Sequence, residues 1–137
     1  MNIELVKQAA EETLAGTKSF PEIVGLLVEA GVEYYHVDYA SLRKTFYGTD
    51  GNAVTTSIHY TGLPAVAAGF DGEALRAAIL DSQRHGQKYW DFTRRAMKAG
   101  VQSYQAFLRG KRVTYLGRLG DQHTEWFPGA RTEREGR

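Results

Sequence analysis

Apolar positions recur along this chain with two different periods, and each change of period marks a new element. Ile3, Leu5, Val6, Ala9, Ala10 and Leu14 follow the three-to-four-residue spacing of one helix face, and Gly16 stops that helix. Ser19 followed by Glu22 is a capping-box pattern, so a second helix runs from there to Ala30. Gly31 suits the left-handed position that closes it. The period then shortens to two. Residues 32–39 alternate and are rich in Tyr and Val, which is a strand pattern. Residues 43–48 and 53–60 read as a hairpin around Asp50 and Gly51, where both central positions tolerate positive φ. The second half repeats this order. One helix spans 71 to about 84, another about 89–100, and strands follow at 101–108, 112–117 and 122–127. Gly62 and Pro64 break up the stretch 61–70, which reads as a linker.

The two halves are similar in residues as well as in pattern. A shift of 69 positions lays residues 20–58 on 89–127 without a gap. Nine pairs are identical: Ala30/Ala99, Gly31/Gly100, Val32/Val101, Tyr35/Tyr104, Arg43/Arg112, Thr45/Thr114, Gly48/Gly117, Gly51/Gly120 and Thr55/Thr124. Ordinary composition would give about two or three. The expected fold class is therefore α+β: two tandem α-α-β-β-β repeats forming one antiparallel sheet, with helices packed on one face. Residues 1–127 make a single domain, with repeat one at about 3–60, the linker at 61–70 and repeat two at about 71–127. Residues 128–137, polar and carrying three Arg and two Glu, read as a flexible tail.

Composition then narrows the chemistry. The chain has 137 residues, 42% hydrophobic and 24% charged, which suits one globular domain with a real core. Seventeen Lys and Arg against 16 Asp and Glu leave a net charge of +1, so a dedicated nucleic-acid surface is not expected. The absence of cysteine excludes disulfides, thiolate metal sites and cysteine nucleophiles. Charged residues interrupt the N-terminal apolar positions, and no apolar run is long enough to span a bilayer, so no membrane partner is expected and the expected location is the cytoplasm. No phosphate loop, dinucleotide fingerprint, nucleophile elbow or zincin motif is present.

Alternation assigns the sheet faces. Tyr35, Val37 and Tyr39 share one side with apolar repeat partners, so that side faces the helices. The other side carries Tyr34, His36 and Asp38 from the first strand, and Arg43, Thr45 and Tyr47 from the second. Thr55, Ser57 and His59 are expected to join them from the third. Such a polar-aromatic face is a solvated surface, a dimer interface or a ligand platform.

His36 and Asp38 are the candidate catalytic pair: the imidazole as acid–base group or ligand anchor, the carboxylate as its orienter. The plain alternative is a carboxylate that neutralises a neighbouring histidine. Adding His59 would complete the ligand types of a facial-triad iron site, but the preferred reading holds no metal and names no cofactor. Candidate ligand-binding residues are Tyr34, Tyr47 and His59, with Arg43 and Arg112 as anion contacts related by the repeat. His123 reads as a surface strand residue, and His85 as a helix-end charge facing the C-terminal dipole. Basic residues interleaved with aromatics between Lys88 and Tyr115 also fit single-stranded nucleic acid, although Trp90 and Phe92 at a helix start fit a core.

The string Phe20-Pro21-Glu22-Ile23-Val24, followed by Ala30-Gly31-Val32-Glu33-Tyr34-Tyr35-His36-Val37-Asp38, resembles a family of small bacterial and prophage-encoded proteins sometimes labelled "phage envelope protein". Ala99-Gly100-Val101-Gln102-Ser103-Tyr104 and Tyr115-Leu116-Gly117 fit the same pattern, and the resemblance extends to about Phe127. It implies no established activity, so no catalytic residue is carried over from it. The functional expectation is a protein that binds a small molecule on the face around His36 and Asp38, with enzymatic turnover left open. The alternative is an interaction protein whose same face forms a homodimer or meets a partner.

Overall fold

The computed structural model describes residues 1–130; residues 131–137, most of the expected tail, lie outside them. In repeat one, α1 (Ile3–Ala15) and α2 (Phe20–Glu29) precede β1 (Val32–Asp38), β2 (Arg43–Gly48) and β3 (Ala53–Ser57). In repeat two, α3 (Gly72–His85) and α4 (Tyr89–Lys98) precede β4 (Val101–Phe107), β5 (Arg112–Gly117) and β6 (Gln122–Trp126). All six strands form one antiparallel sheet in the order β3-β2-β1-β4-β5-β6. The two first strands meet at the centre, so a twofold-like relation swaps the repeats. Tyr39 N–H donates to the Gln102 carbonyl at 2.9 Å, and its counterpart Leu108 donates to Glu33 at 3.1 Å.

The elements begin and end where their residues satisfy the backbone. Asn2 and Asp71, 69 positions apart, cap α1 and α3 by accepting from Leu5 N–H and Ala74 N–H. Their own N–H groups donate to Ala30 at 2.7 Å and Ala99 at 2.8 Å, tying each helix start to the helix end beside it. Ser19 and Glu22 make the expected capping box. Lys88, at the same place before α4, makes no side-chain cap. Gly31 and Gly100 close the second helices at φ 90° and 95°, as the helix-end pattern required.

The β2–β3 turn differs from expectation. Four residues link the strands, and only Gly51 adopts positive φ, at 87°. Asp50 is held instead by its carboxylate, which accepts Asn52 N–H at 3.0 Å. The stretch 61–70 has no helix or strand, yet Leu63, Val66 and Phe70 pack on the core.

One hydrophobic cluster joins the helices to alternate strand positions, including Val37, Phe46, Tyr104, Ala106 and Val113. The intervening strand positions are mostly half-buried or exposed. The helices thus cover one side of the sheet, and no helix among the described residues covers the other, the open side. No helix among the described residues is long and apolar enough to cross a membrane.

Candidate functional site

Strand register turns the open side into three rows. The first runs Ala53, Tyr47, Tyr34, Phe107, Arg112, Trp126. The second runs Thr55, Thr45, His36, Gln105, Thr114, Thr124, and the third Ser57, Arg43, Asp38, Ser103, Leu116, Gln122. The fold therefore brings Tyr34, His36, Asp38, Arg43, Tyr47 and Arg112 to one surface. Within it, Arg43 and Arg112 sit at opposite corners, as the twofold-like relation requires, and each faces different neighbours.

The first row is a stack. Tyr34 and Tyr47 lie 4.7 Å apart at 15°, and Tyr34 and Phe107 5.9 Å apart at 27°. Cross-strand side chains stand up from the sheet about one strand spacing apart, so flat rings meet face to face. Phe107 ends the stack on the β4 side. Next to it, Arg112 leans away over Trp126, with the guanidinium 4.2 Å from that ring. A depression of about 340 Å³ opens there, lined by Glu33, Tyr34, Phe107, Arg109, Arg112 and Thr114. Within the lining, Arg109 forms an ion pair with Glu33 at 3.8 Å. Aromatic and guanidinium groups around a concavity suit a planar group bearing negative charge.

His36 and Asp38 share the face without forming a pair. The Asp38 carboxylate accepts Ala40 N–H at 2.8 Å and Ser41 N–H at 3.2 Å, so it shapes the β1–β2 turn. This turn ends at Leu42, which is held at φ 57°. The reason is local: an Asp beside a tight turn finds unpaired backbone donors nearer than any side chain two residues away. His36 is half-buried between Thr45 and Gln105. Thr45–Thr55 and Thr114–Thr124 hydroxyl pairs, each at 3.2 Å, flank it in the same row.

His59 does not reach this face. β3 ends at Ser57, and the chain turns toward the helices, where His59 meets Glu11 of α1 at 3.0 and 3.2 Å. His36, Asp38 and His59 therefore cannot converge. Among the described residues no three His, Asp or Glu side chains cluster as metal ligands. His123 also differs from expectation: it is half-buried on the helix side and bonds Glu125 at 3.0 Å. His85 ends α3 and pairs with Asp81 at 3.4 Å. The Asp81 carboxyl is held below its usual range, chiefly by the Arg95 guanidinium at 2.6 Å.

The residue that sequence reasoning missed is Lys44, on the helix side of β2. It is 3% exposed. Its amine lies 4.2 Å from the centre of the Tyr89 ring, and no carboxylate pairs with it among the described residues. Burial pulls its pKa down from the ordinary lysine value to about 7, with Glu11 partly opposing. A cation–π contact contributes about 2 kcal/mol when desolvated. Taking an ammonium out of water costs several. Desolvation wins, and the neutral amine becomes accessible near pH 7.

Around Lys44 is a polar pocket of the core. Tyr89 and Tyr104 share a hydrogen bond at 2.6 Å. Among the described residues the hydroxyls of Thr56 and Thr93 have no well-aligned hydrogen-bond partner, and the Tyr39 hydroxyl lies near those of Tyr89, Thr93 and Tyr104 without a well-aligned bond to any of them. Burial pushes the Tyr39 hydroxyl up to about 12. A signal for Lys44 existed in the chain: it stands at an inward position beside Phe46, and its repeat counterpart is Val113.

Fold and face together define an α+β protein with one helical layer and an open six-stranded sheet. No protein-family model matches the chain, and no curated protein matches it.

Proposed function

We propose that this is a cytoplasmic binding protein for a small planar anion, which stacks on Phe107 and places its charge against Arg112 and Arg109. The observation that carries this reading is the depression of about 340 Å³ at the open end of the Tyr47–Tyr34–Phe107 stack. The bound ring would become the next member of the stack, and Thr114 offers a hydroxyl beside it. His36 stands in the neighbouring row and is not among the residues around the depression, so this reading gives it no contact with the ligand. Rings stacked on one another at 4.7 and 5.9 Å leave no room for bases between them, which favours one ring added at the end of the stack over a strand of nucleic acid.

Titrating the protein with nicotinate, adenosine monophosphate and flavin mononucleotide, followed by amide NMR, tests this. At least one should shift Phe107, Arg112 and Thr114, and Phe107→Ala should abolish those shifts. No response to any of the three at millimolar concentration would sink the proposal.

A second reading keeps the same face but gives it a second copy of the chain. Its support is the breadth of the surface: six strands without helical cover on that side. Sedimentation separates the two. A dimer that protects the Trp126 row from solvent favours this reading over the ligand site.

A further inference from the structure

The interior of repeat one carries a group that repeat two replaces with an apolar residue. Lys44 is almost fully buried, lies over Tyr89 and has no ion pair among the described residues, while Val113 at the related place is an ordinary core residue. Natural sequences break their own apolar pattern mainly where function or strain demands it. The titratable groups around Lys44 come from several elements: Glu11 of α1, tied to His59 beyond β3; Tyr39, just past the end of β1; Tyr89 of α4, bonded to Tyr104 of β4; and Tyr60, three residues past the end of β3. Glu11 is the carboxylate that acts on the amine. It sits on an exposed helix surface and already serves His59. α1 packs against β3 and α4, the two elements that flank Lys44, so a protonated amine gains water or a counter-ion most directly by a displacement of α1 from them.

We propose that Lys44 is a proton-operated latch: with the amine neutral, α1 closes against β3 and α4, and uptake of a proton favours local opening of that corner while repeat two stays shut. This inference is independent of the open-face reading, since the two lie on opposite sides of the sheet.

The linkage has a defined sign. In the opened corner Lys44 meets water and titrates as an ordinary lysine, near 10.5; in the closed corner it titrates near 7. Between these values the open form binds more protons, so opening grows as pH falls from about 10 toward 7 and then levels off.

The absence of cysteine provides the probe. Ala9 and Ala78 are related by the repeat and both 0% exposed, on α1 and α3 respectively. Ala9→Cys and Ala78→Cys are labelled separately with a thiol reagent between pH 6 and 10, and the ratio of their rates cancels the thiol's own titration. The ratio should climb at least tenfold from pH 10 to pH 7, plateau below it, and lose its pH dependence in Lys44→Met. A flat ratio in the native background, or an unchanged slope in Lys44→Met, overturns the latch. So does a Lys44 side-chain carbon resonance that titrates in the ordinary lysine range.

Discussion

Repeats one and two share their element plan residue for residue through their second helices and all their strands, yet they close their interiors differently. Repeat two is sealed by apolar and backbone contacts: Val113 fills the inward place on β5, and a Cβ on Gly100 would lie 2.2 Å from the Gly69 carbonyl. Repeat one has Lys44 at the first of these places. At the second, a Cβ on Gly31 would meet nothing closer than Met1 Cα, at 3.6 Å. On the open face the same repeated order of elements places an aromatic row at one end and Ser57, Arg43 and Asp38 at the other. A doubled plan fixes backbone and register, and single residues then specialise each copy.

The comparison is sharpened first at the helix-end glycines. Gly100→Ala should cost about 4 kcal/mol or more, because backbone must move as well as adopt an unfavourable φ. Gly31→Ala should cost only about 1–3 kcal/mol, since φ is its main penalty. Urea unfolding of both variants gives the difference; equal losses would mean the two closures are alike.

Next comes the buried amine. Lys44→Met should stabilise the protein by roughly 2–4 kcal/mol at pH 7, since an apolar side chain of similar volume needs no desolvation of charge. The depressed lysine penalises folding most near and below pH 7. As pH rises from about 7 toward 10.5 the unfolded chain loses its extra proton, and the penalty fades. The gap between Lys44→Met and the native chain should therefore shrink to within about 1 kcal/mol at pH 10. Val113→Lys should create a comparable loss in repeat two. Stability curves at pH 7 and 10 check all three.

A smaller contrast lies at the first turns. Asp38 caps the β1–β2 turn, whereas its counterpart Phe107 lines the depression. Asp38→Ala should cost about 1 kcal/mol and Asp38→Asn much less, because an amide oxygen still accepts. If Asp38→Ala left stability unchanged but removed ligand shifts, the carboxylate would belong to the binding site after all.

The smallest effect is expected at the second helices. Ser19→Ala should lose about 1 kcal/mol with the capping box, and Lys88→Ser should add a few tenths to α4, which has no such cap. Thermal melts resolve the first directly, and the pair measured together tests whether the helices differ in capping alone.

Element order, strand phase and the sharing of one sheet were legible in the chain. Helical and strand periods are local, and Ser19, Gly31 and Gly100 carry their meaning within a few residues. Open-face assignments for Tyr34, His36, Arg43, Tyr47 and Arg112 followed from alternation alone. His59 escaped that logic because β3 stops two residues before it, and strand phase says nothing about a residue past the strand's end. The pairing of Asp38 with its turn was hidden because competition between a side chain and free backbone donors depends on turn geometry.

Residue order by itself determined the periods, the repeated order of elements and the polarity of each sheet face, since these depend on patterns near in sequence. Tertiary structure alone decided which residues share each row, that Arg112 leans over Trp126, and that the amine of Lys44 lies over Tyr89 from another repeat. Those facts rest on contacts between distant segments. Desolvation and ring stacking act through space, so their outcome exists only once both repeats are folded together.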